Sequence, residues 1–219
     1  LSGSGDATFA GDTTAATVDA SGLEGVFTFE LTGTAGTVND VTGGTNDDVF
    51  TGIGLAAHTA SGNEGDDTFT LAGTAGDVTI NGGADTDTVI LGGSLDFSGA
   101  DPLLTLNGIE IIDLNDNDAA SLTVDSSEID GAAHTVTGDS NNALDGLVVV
   151  MDDTSVDLSN LTIDTANAVV TVTGTTLGDE ITGTNGVDTV NAGAGADTIY
   201  GGKSGDTLNG EEGSDTIYG

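Results

Sequence analysis

Five aspartates recur every nine residues near the end of the chain: Asp179, Asp188, Asp197, Asp206 and Asp215. They lie in five contiguous nonapeptides, GTTLGDEIT (174–182), GTNGVDTVN (183–191), AGAGADTIY (192–200), GGKSGDTLN (201–209) and GEEGSDTIY (210–218). Position six is Asp in all five, and position eight is a branched aliphatic: Ile181, Val190, Ile199, Leu208, Ile217. Position one is Gly in four and Ala192 in the fifth. Glycines at positions one, two and four let the backbone turn tightly, including at positive φ. Such a turn aims carbonyl oxygens inward, and the Asp adds an anionic oxygen. Bare carboxylates stacked on one edge repel. The whole chain holds one Lys or Arg against 37 acidic residues, so it has almost no counter-charge of its own. A hard cation taking six to eight oxygens would bridge the carboxylates, and Ca²⁺ suits a carboxylate-and-carbonyl cage better than Mg²⁺ does.

The elements that would position these oxygens follow from the same register. Positions seven to nine read as a short strand with position eight in the core, and two nonapeptides make one coil. Units i and i+2 then stack on the same edge, and strand spacing brings their aspartates within about 5 Å. Composition agrees. Gly is 36 of 219 residues, Pro is one, and most of the 37 acids are Asp, which suits tight turns. Thr, Val, Ile and Ala fill the strand-like runs between. There is no cysteine, so neither disulfides nor thiolate sites hold the chain together. No run of about 18 apolar residues occurs, so no transmembrane segment is expected. At a formal charge of −36, nucleic acid and anionic lipid are excluded as expected partners.

The register reappears upstream in diluted form. GGTNDDVFT (43–51), GNEGDDTFT (62–70) and GGADTDTVI (82–90) place Asp48, Asp67 and Asp87 at position six, 19 and 20 residues apart. Each reads as one coil with an acidic turn on one edge, and a calcium ladder along that edge is expected, with Asp47 and Asp66 as further ligands. LTGTAG (31–36) and LAGTAG (71–76), 40 residues apart, fit a spacing of two coils. GSGDATFAG (3–11) resembles a worn copy with Ala7 where the Asp would stand. Residues 94–173 lack the glycine turns but keep strand-like runs such as GIEIIDLN (108–115), GLVVVM (146–151) and NAVVTVTG (167–174). TVDA (17–20), TVDS (123–126) and TIDT (162–165) each read as a short strand closed by Asp and a small residue. The expected organisation is 1–93, coils with sparse acidic turns; 94–173, coils with longer, metal-poor turns; and 174–219, the nonapeptide block. SLDFSGADP (94–102) is the best candidate boundary.

The nonapeptides resemble the calcium-binding repeats of RTX proteins, G-G-x-G-x-D-x-U-x with U a large aliphatic. The resemblance implies an all-β fold, a right-handed parallel β-roll passing into a β-helix, with several Ca²⁺ ions held between turns i and i+2. It implies ligands Asp179, Asp197 and Asp215 on one edge and Asp188 and Asp206 on the other. Backbone carbonyls of Asn185, Gly186, Ala194, Gly195, Lys203 and Gly213 would complete the cages. Three walled sites are expected, 179/197, 197/215 and 188/206, and Asp197 would face two of them. Leu177 and Ser204 depart from the glycine at position four and Glu211 from that at position two, and 179/197 is the weakest of the three. Folding is expected to need the metal, because binding energy here is folding energy.

No catalytic motif stands out. His58 and His134 sit in Ala/Thr-flanked stretches and read as loop or surface residues, and no G-x-S-x-G or H-E-x-x-H occurs. The chain is therefore expected to be no enzyme. Tyr200 and Tyr218 share position nine and are expected to stack. Thr/Ala/Gly-rich coils mixed with sparse acidic turns look most like RTX-type bacterial surface-layer proteins. That implies an extracellular, calcium-dependent structural protein at the cell surface, exported by type I secretion, that self-associates into a lattice or binds surface glycan. The alternatives are a segment of a large RTX adhesin and the secretion tail of an exported hydrolase or toxin. The chain is expected to be a piece of a longer protein.

Overall fold

The computed structural model describes residues 1–10, 17–30, 39–54, 58–74, 76–99, 103–114, 120–138, 145–164 and 168–219. LTGTAG (31–36) lies outside these, as do one residue of LAGTAG and the ends of the 94–102, 162–165 and 167–174 stretches. The chain packs as two units, Leu1–Leu95 with Ala100–Asp113, and Asp96–Gly99 with Leu114–Gly219. Each is a parallel β-solenoid.

In the first unit one face stacks Ala7–Ala10, Phe27–Glu30, Val49–Ile53, Thr68–Leu71, Thr88–Leu91 and Ile111–Asp113 in sequence order. A second stacks Thr17–Asp19, Asn39–Thr42, His58–Glu64, Val78–Ala84 and Leu104–Asn107. The strand pairings among the described residues are parallel, with matching positions in register: Val49 opposite Thr68, and Thr68 opposite Thr88. Alternation does the sorting, since successive strand side chains face opposite ways. Thr68–Leu71 and Thr88–Leu91 each run half-buried, buried, half-buried, buried. Phe29, Phe50, Phe69, Val89 and Ile112 form one inward column. Phe50 stacks on Phe69 at 4.7 Å and meets Phe27 edge-on at 5.9 Å, a payload of about 2–3 kcal/mol per buried ring. A bulge between Thr51 and Ile53 holds Gly52 at φ +81°, the left-handed geometry that glycine accepts without strain.

The second unit repeats the scheme with Ser121–Asp125, Asp145–Val150, Ala168–Thr173, Val187–Asn191 and Thr207–Asn209 on one face. Ser155–Asp157, Glu180–Thr182, Thr198–Tyr200 and Thr216–Tyr218 form another. In the nonapeptide block, partners are 18 residues apart: Ile181 faces Ile199, which faces Ile217, and Val190 faces Leu208. Two nonapeptides therefore make one coil, as the register predicts. Tyr200 and Tyr218 stack at 4.9 Å with rings 5° from parallel. The helix among the described residues is the four-residue turn Ser126–Ile129, and no described helix is long and apolar enough to cross a membrane.

The histidines correct the sequence reading. His58 opens a strand and is buried, its Nδ1 accepting the Gly54 N–H at 3.2 Å. Register places it opposite Val78 in an inward-facing column, which an Ala/Thr-flanked sequence does not disclose. His134 is buried as well.

Candidate metal centre

The position-six aspartates arrive at the same place because the residues that follow them are locked in the ladder. The Thr68 N–H donates to Asp48 O, Thr88 N–H to Asp67 O and Thr198 N–H to Asp179 O, all at 2.8–2.9 Å. The side chain must then turn inward at the bend. Asp48, Asp67, Asp87, Asp179, Asp188 and Asp197 are each no more than 2% exposed, which is rare for Asp without compensating bonds. Asp206 and Asp215 are half-buried.

The first compensation is a ladder of amide-to-carboxylate bonds. In the first unit the Phe27 N–H donates to Asp48 Oδ1 (2.7 Å), Asp48 N–H to Asp67 Oδ1 (2.7 Å), Asp67 N–H to Asp87 Oδ1 (2.9 Å) and Asp87 N–H to Glu110 Oε2 (2.8 Å). In the second, Asp179 N–H donates to Asp197 Oδ1 (2.8 Å), Asp197 N–H to Asp215 Oδ1 (3.1 Å) and Asp188 N–H to Asp206 Oδ1 (3.0 Å). Structure thus brings 179, 197 and 215 together on one edge and 188 with 206 on the other. Asp47 and Asp66, one position earlier, run a second ladder in the opposite sense: Asp66 N–H donates to Asp47 Oδ1 and Thr86 N–H to Asp66 Oδ1.

The second carboxylate oxygen divides the set. Asp48 Oδ2 accepts the Gly44 N–H (2.6 Å), Asp179 Oδ2 the Thr175 N–H (2.7 Å) and Asp188 Oδ2 the Thr184 N–H (2.7 Å). Among the described residues, the buried Oδ2 atoms of Asp67, Asp87 and Asp197 have no hydrogen-bond partner. Their own turns explain this. Asn63, Gly83 and Gly193 at position two hold φ of +91°, +130° and +97°, and no bond from their N–H to the carboxylate is made.

Glycine at position one is a steric requirement in several turns, although the Asp197 turn accommodates Ala192 there. A Cβ at Gly43 would come within 2.8 Å of Gly62 O, and one at Gly62 within 2.7 Å of Gly82 O, both also overlapping the turn's own Asp Oδ2. Gly183 and Gly201 stand likewise, 2.6 and 2.7 Å from Asp188 and Asp206 Oδ2. A carboxylate oxygen and a neighbouring turn's carbonyl oxygen therefore converge beside Gly43, Gly62 and Gly183. The departures at positions two and four keep the left-handed backbone without glycine: Ser204 at φ +77° and Glu211 at +63°, with Asp85 at +80° upstream. Leu177 stays outside that region. Its N–H instead donates to Thr175 Oγ1 at 3.0 Å, a hydroxyl turn.

The carbonyl donors expected at 185, 186, 194, 195, 203 and 213 lie on these bends. Ala194–Gly195 pairs in parallel with Glu212–Gly213. The Lys203 N–H reaches Thr184 O at 3.3 Å, and Asn185 O accepts the Ser204 hydroxyl at 3.0 Å. Asn185 Oδ1 is taken by the Ile163 N–H at 2.8 Å, so its side chain serves the fold. No cluster of three or more His, Asp or Glu side chains suited to a metal occurs among the described residues. Backbone carbonyls must supply most of any coordination shell.

Electrostatics follow from the packing. Burial pushes the Asp67 carboxyl up to about 7, with the charges of Asp87, Asp48 and Asp47 adding to it. Burial likewise raises Asp87 to about 6, reinforced by Glu110, Asp66 and Asp85. Asp188 rises to about 6 through burial, against the opposing bonds from Thr184. By contrast Asp19, Asp96 and Asp157 fall below the ordinary range because Ser21, Ser98 and Ser159 bond to them. These carboxylates close strands as capped turns.

Residues that the repeat pattern does not mark also take part. Glu110 stands in register with Asp87 and ends its ladder; its signal in the sequence is its place before Ile111, the strand residue opposite Thr88. Buried Asp145 accepts the Ala120 N–H at 3.1 Å, within the stretch read as metal-poor.

The orphaned buried oxygens, all-oxygen donor set and glycine-lined bends fit a hard divalent cation. The family model of the RTX calcium-binding nonapeptide repeat (4 copies) matches residues 61–97, 173–208 and 200–219. These segments take in the turns of Asp67, Asp87 and all five C-terminal aspartates; Asp48 lies outside them. RTX repeats bind calcium, and proteins that carry them are typically secreted. No curated protein matches the chain, and neither does any solved structure.

Proposed function

We propose that this chain is a calcium-folded extracellular structural segment that forms part of a bacterial surface lattice. The observation that carries the calcium-dependent part is the set of three buried carboxylate oxygens, on Asp67, Asp87 and Asp197, without a hydrogen-bond partner among the described residues. Ionised and unpaired, they oppose folding; coordinated with bend carbonyls, they hold successive turns together. Several ions per chain follow, because the acidic ladders occur in both units. The structural role rests on the length of solenoid outside the matched repeats. One sheet carries an outward column, Asp40, Thr59, Thr79 and Thr105, in strict register, suited to side-by-side association or to surface glycan. No catalytic role is assigned to His58 or His134. Export by type I secretion accompanies this reading through the repeat family.

Light scattering in chelator, then in millimolar calcium, with magnesium as the control, tests it. Calcium-specific growth into large ordered assemblies supports the lattice. A compact particle that stays monomeric in calcium favours an adhesin segment or secretion tail. No response to calcium removes the metal reading altogether.

A further inference from the structure

We infer that the backbone torsion at position two of each turn decides whether that turn takes a calcium ion, and that the turns of Asp48, Asp179 and Asp188 close without one. The inference rests on the calcium reading above and deepens it.

Three ladders of position-six aspartates begin in the described residues, and each leading aspartate is satisfied by the chain itself. Asp48 receives Phe27 N–H on Oδ1 and Gly44 N–H on Oδ2. Asp179 and Asp188 have Thr at position two. Thr175 gives Asp179 its N–H and a hydroxyl bond to Oδ1 at 2.9 Å. Thr184 does the same for Asp188, its hydroxyl 2.8 Å from Oδ1. The same hydroxyls accept the N–H groups of Leu177 and Gly186 at 3.0 Å. Each threonine therefore both binds the carboxylate and closes the bend. These position-two residues keep φ outside the left-handed region, which is what turns their N–H toward the carboxylate.

The following aspartates differ in one backbone torsion. With position two at positive φ, the N–H makes no bond to the carboxylate, and Oδ2 of Asp67, Asp87 or Asp197 is buried without a partner. A buried anionic oxygen left so is costly, and a cation supplies the partner that the amide does not. Thr175 and Thr184 thus stand in for metal at the head of the nonapeptide block. They leave a hydrogen-bonded first coil on which calcium-bound coils can stack.

Calorimetric titration of the full chain with calcium, in the wild type and in isosteric variants, tests this. Asp67→Asn, Asp87→Asn and Asp197→Asn keep the Oδ1 acceptor and should each bind one ion fewer. Asp179→Asn and Asp188→Asn should bind the wild-type number, while melting earlier in chelator because the Thr175 or Thr184 N–H loses its Oδ2 acceptor. Thr184→Gly, which frees position two to reach positive φ, should bind one ion more. If Asp188→Asn loses an ion as Asp197→Asn does, or Thr184→Gly gains none, the division is overturned while the calcium reading stands. A wild-type chain that takes up no calcium overturns both.

Discussion

Gly62→Ala adds one methyl group at a tightly constrained point of the first ladder. Its Cβ would overlap Asp67 Oδ2 and sit 2.7 Å from Gly82 O. Backbone on both sides is held in parallel ladders, so the carboxylate must give way. Rotating it away breaks the 2.7 Å bond from Asp48 N–H to Asp67 Oδ1, and a buried amide left unsatisfied costs about 1–3 kcal/mol. It also removes Oδ2 from the carbonyl it converges with. A loss of about 2 kcal/mol corresponds to about 30-fold weaker calcium affinity. Gly146→Ala is the matched control. Gly146 lies in the strand Asp145–Val150, and an added Cβ meets nothing nearer than 3.8 Å, so it should stabilise by about 0.5–1 kcal/mol through lost chain freedom. Calcium titration followed by far-ultraviolet circular dichroism reads both. Equal calcium midpoints for the two variants would refute the argument that the position-one glycine makes room for the oxygens that hold the cation.

Three further outcomes follow from the same geometry. In chelator the chain should be more stable at pH 4 than at pH 7.5. Asp67 at about 7 and Asp87 and Asp188 at about 6 hold protons in the fold that the unfolded chain has released, so stability is full below about pH 4 and is lost through about pH 6–7. Thermal melts at the two pH values check the sign, and saturating calcium should flatten or reverse the difference. Glu110→Gln should raise the chelator melting temperature at pH 7.5, because it removes a charge that lifts Asp87 while leaving an acceptor for the Asp87 N–H; an unchanged melt would detach Glu110 from the ladder. Phe50→Ala, at a fully buried ring between Phe27 and Phe69, should cost about 3–5 kcal/mol in urea denaturation with calcium present, and a cost below about 1 kcal/mol would contradict the stacked core.

What the sequence makes legible here is whatever repeats at a fixed interval. The 18-residue coil, the inward aliphatics at position eight, the tyrosine stack and the two edges of stacked aspartates are all periodic, and each follows from strand spacing and side-chain alternation alone. What stays hidden depends on one torsion or on register across unlike residues. Ser204 and Glu211 look like departures from the glycine pattern, yet both hold the left-handed backbone. Thr175 and Thr184 also occupy a glycine position but do not, and a hydroxyl makes up the difference. Composition cannot separate these cases, because the preference of a single residue for positive φ is small beside the packing of the turn above it. Glu110 and His58 were obscured for the second reason. Neither belongs to a recognisable repeat, and only pairing to Asp87's turn and to Val78 puts one in the ladder and the other in the core. A solenoid makes such residues interpretable because every coil inherits its neighbour's register. Ligands and caps are therefore assigned by the row in which a residue sits, and the chemistry of that row is set by whether its turn supplies an amide or leaves the carboxylate for a cation.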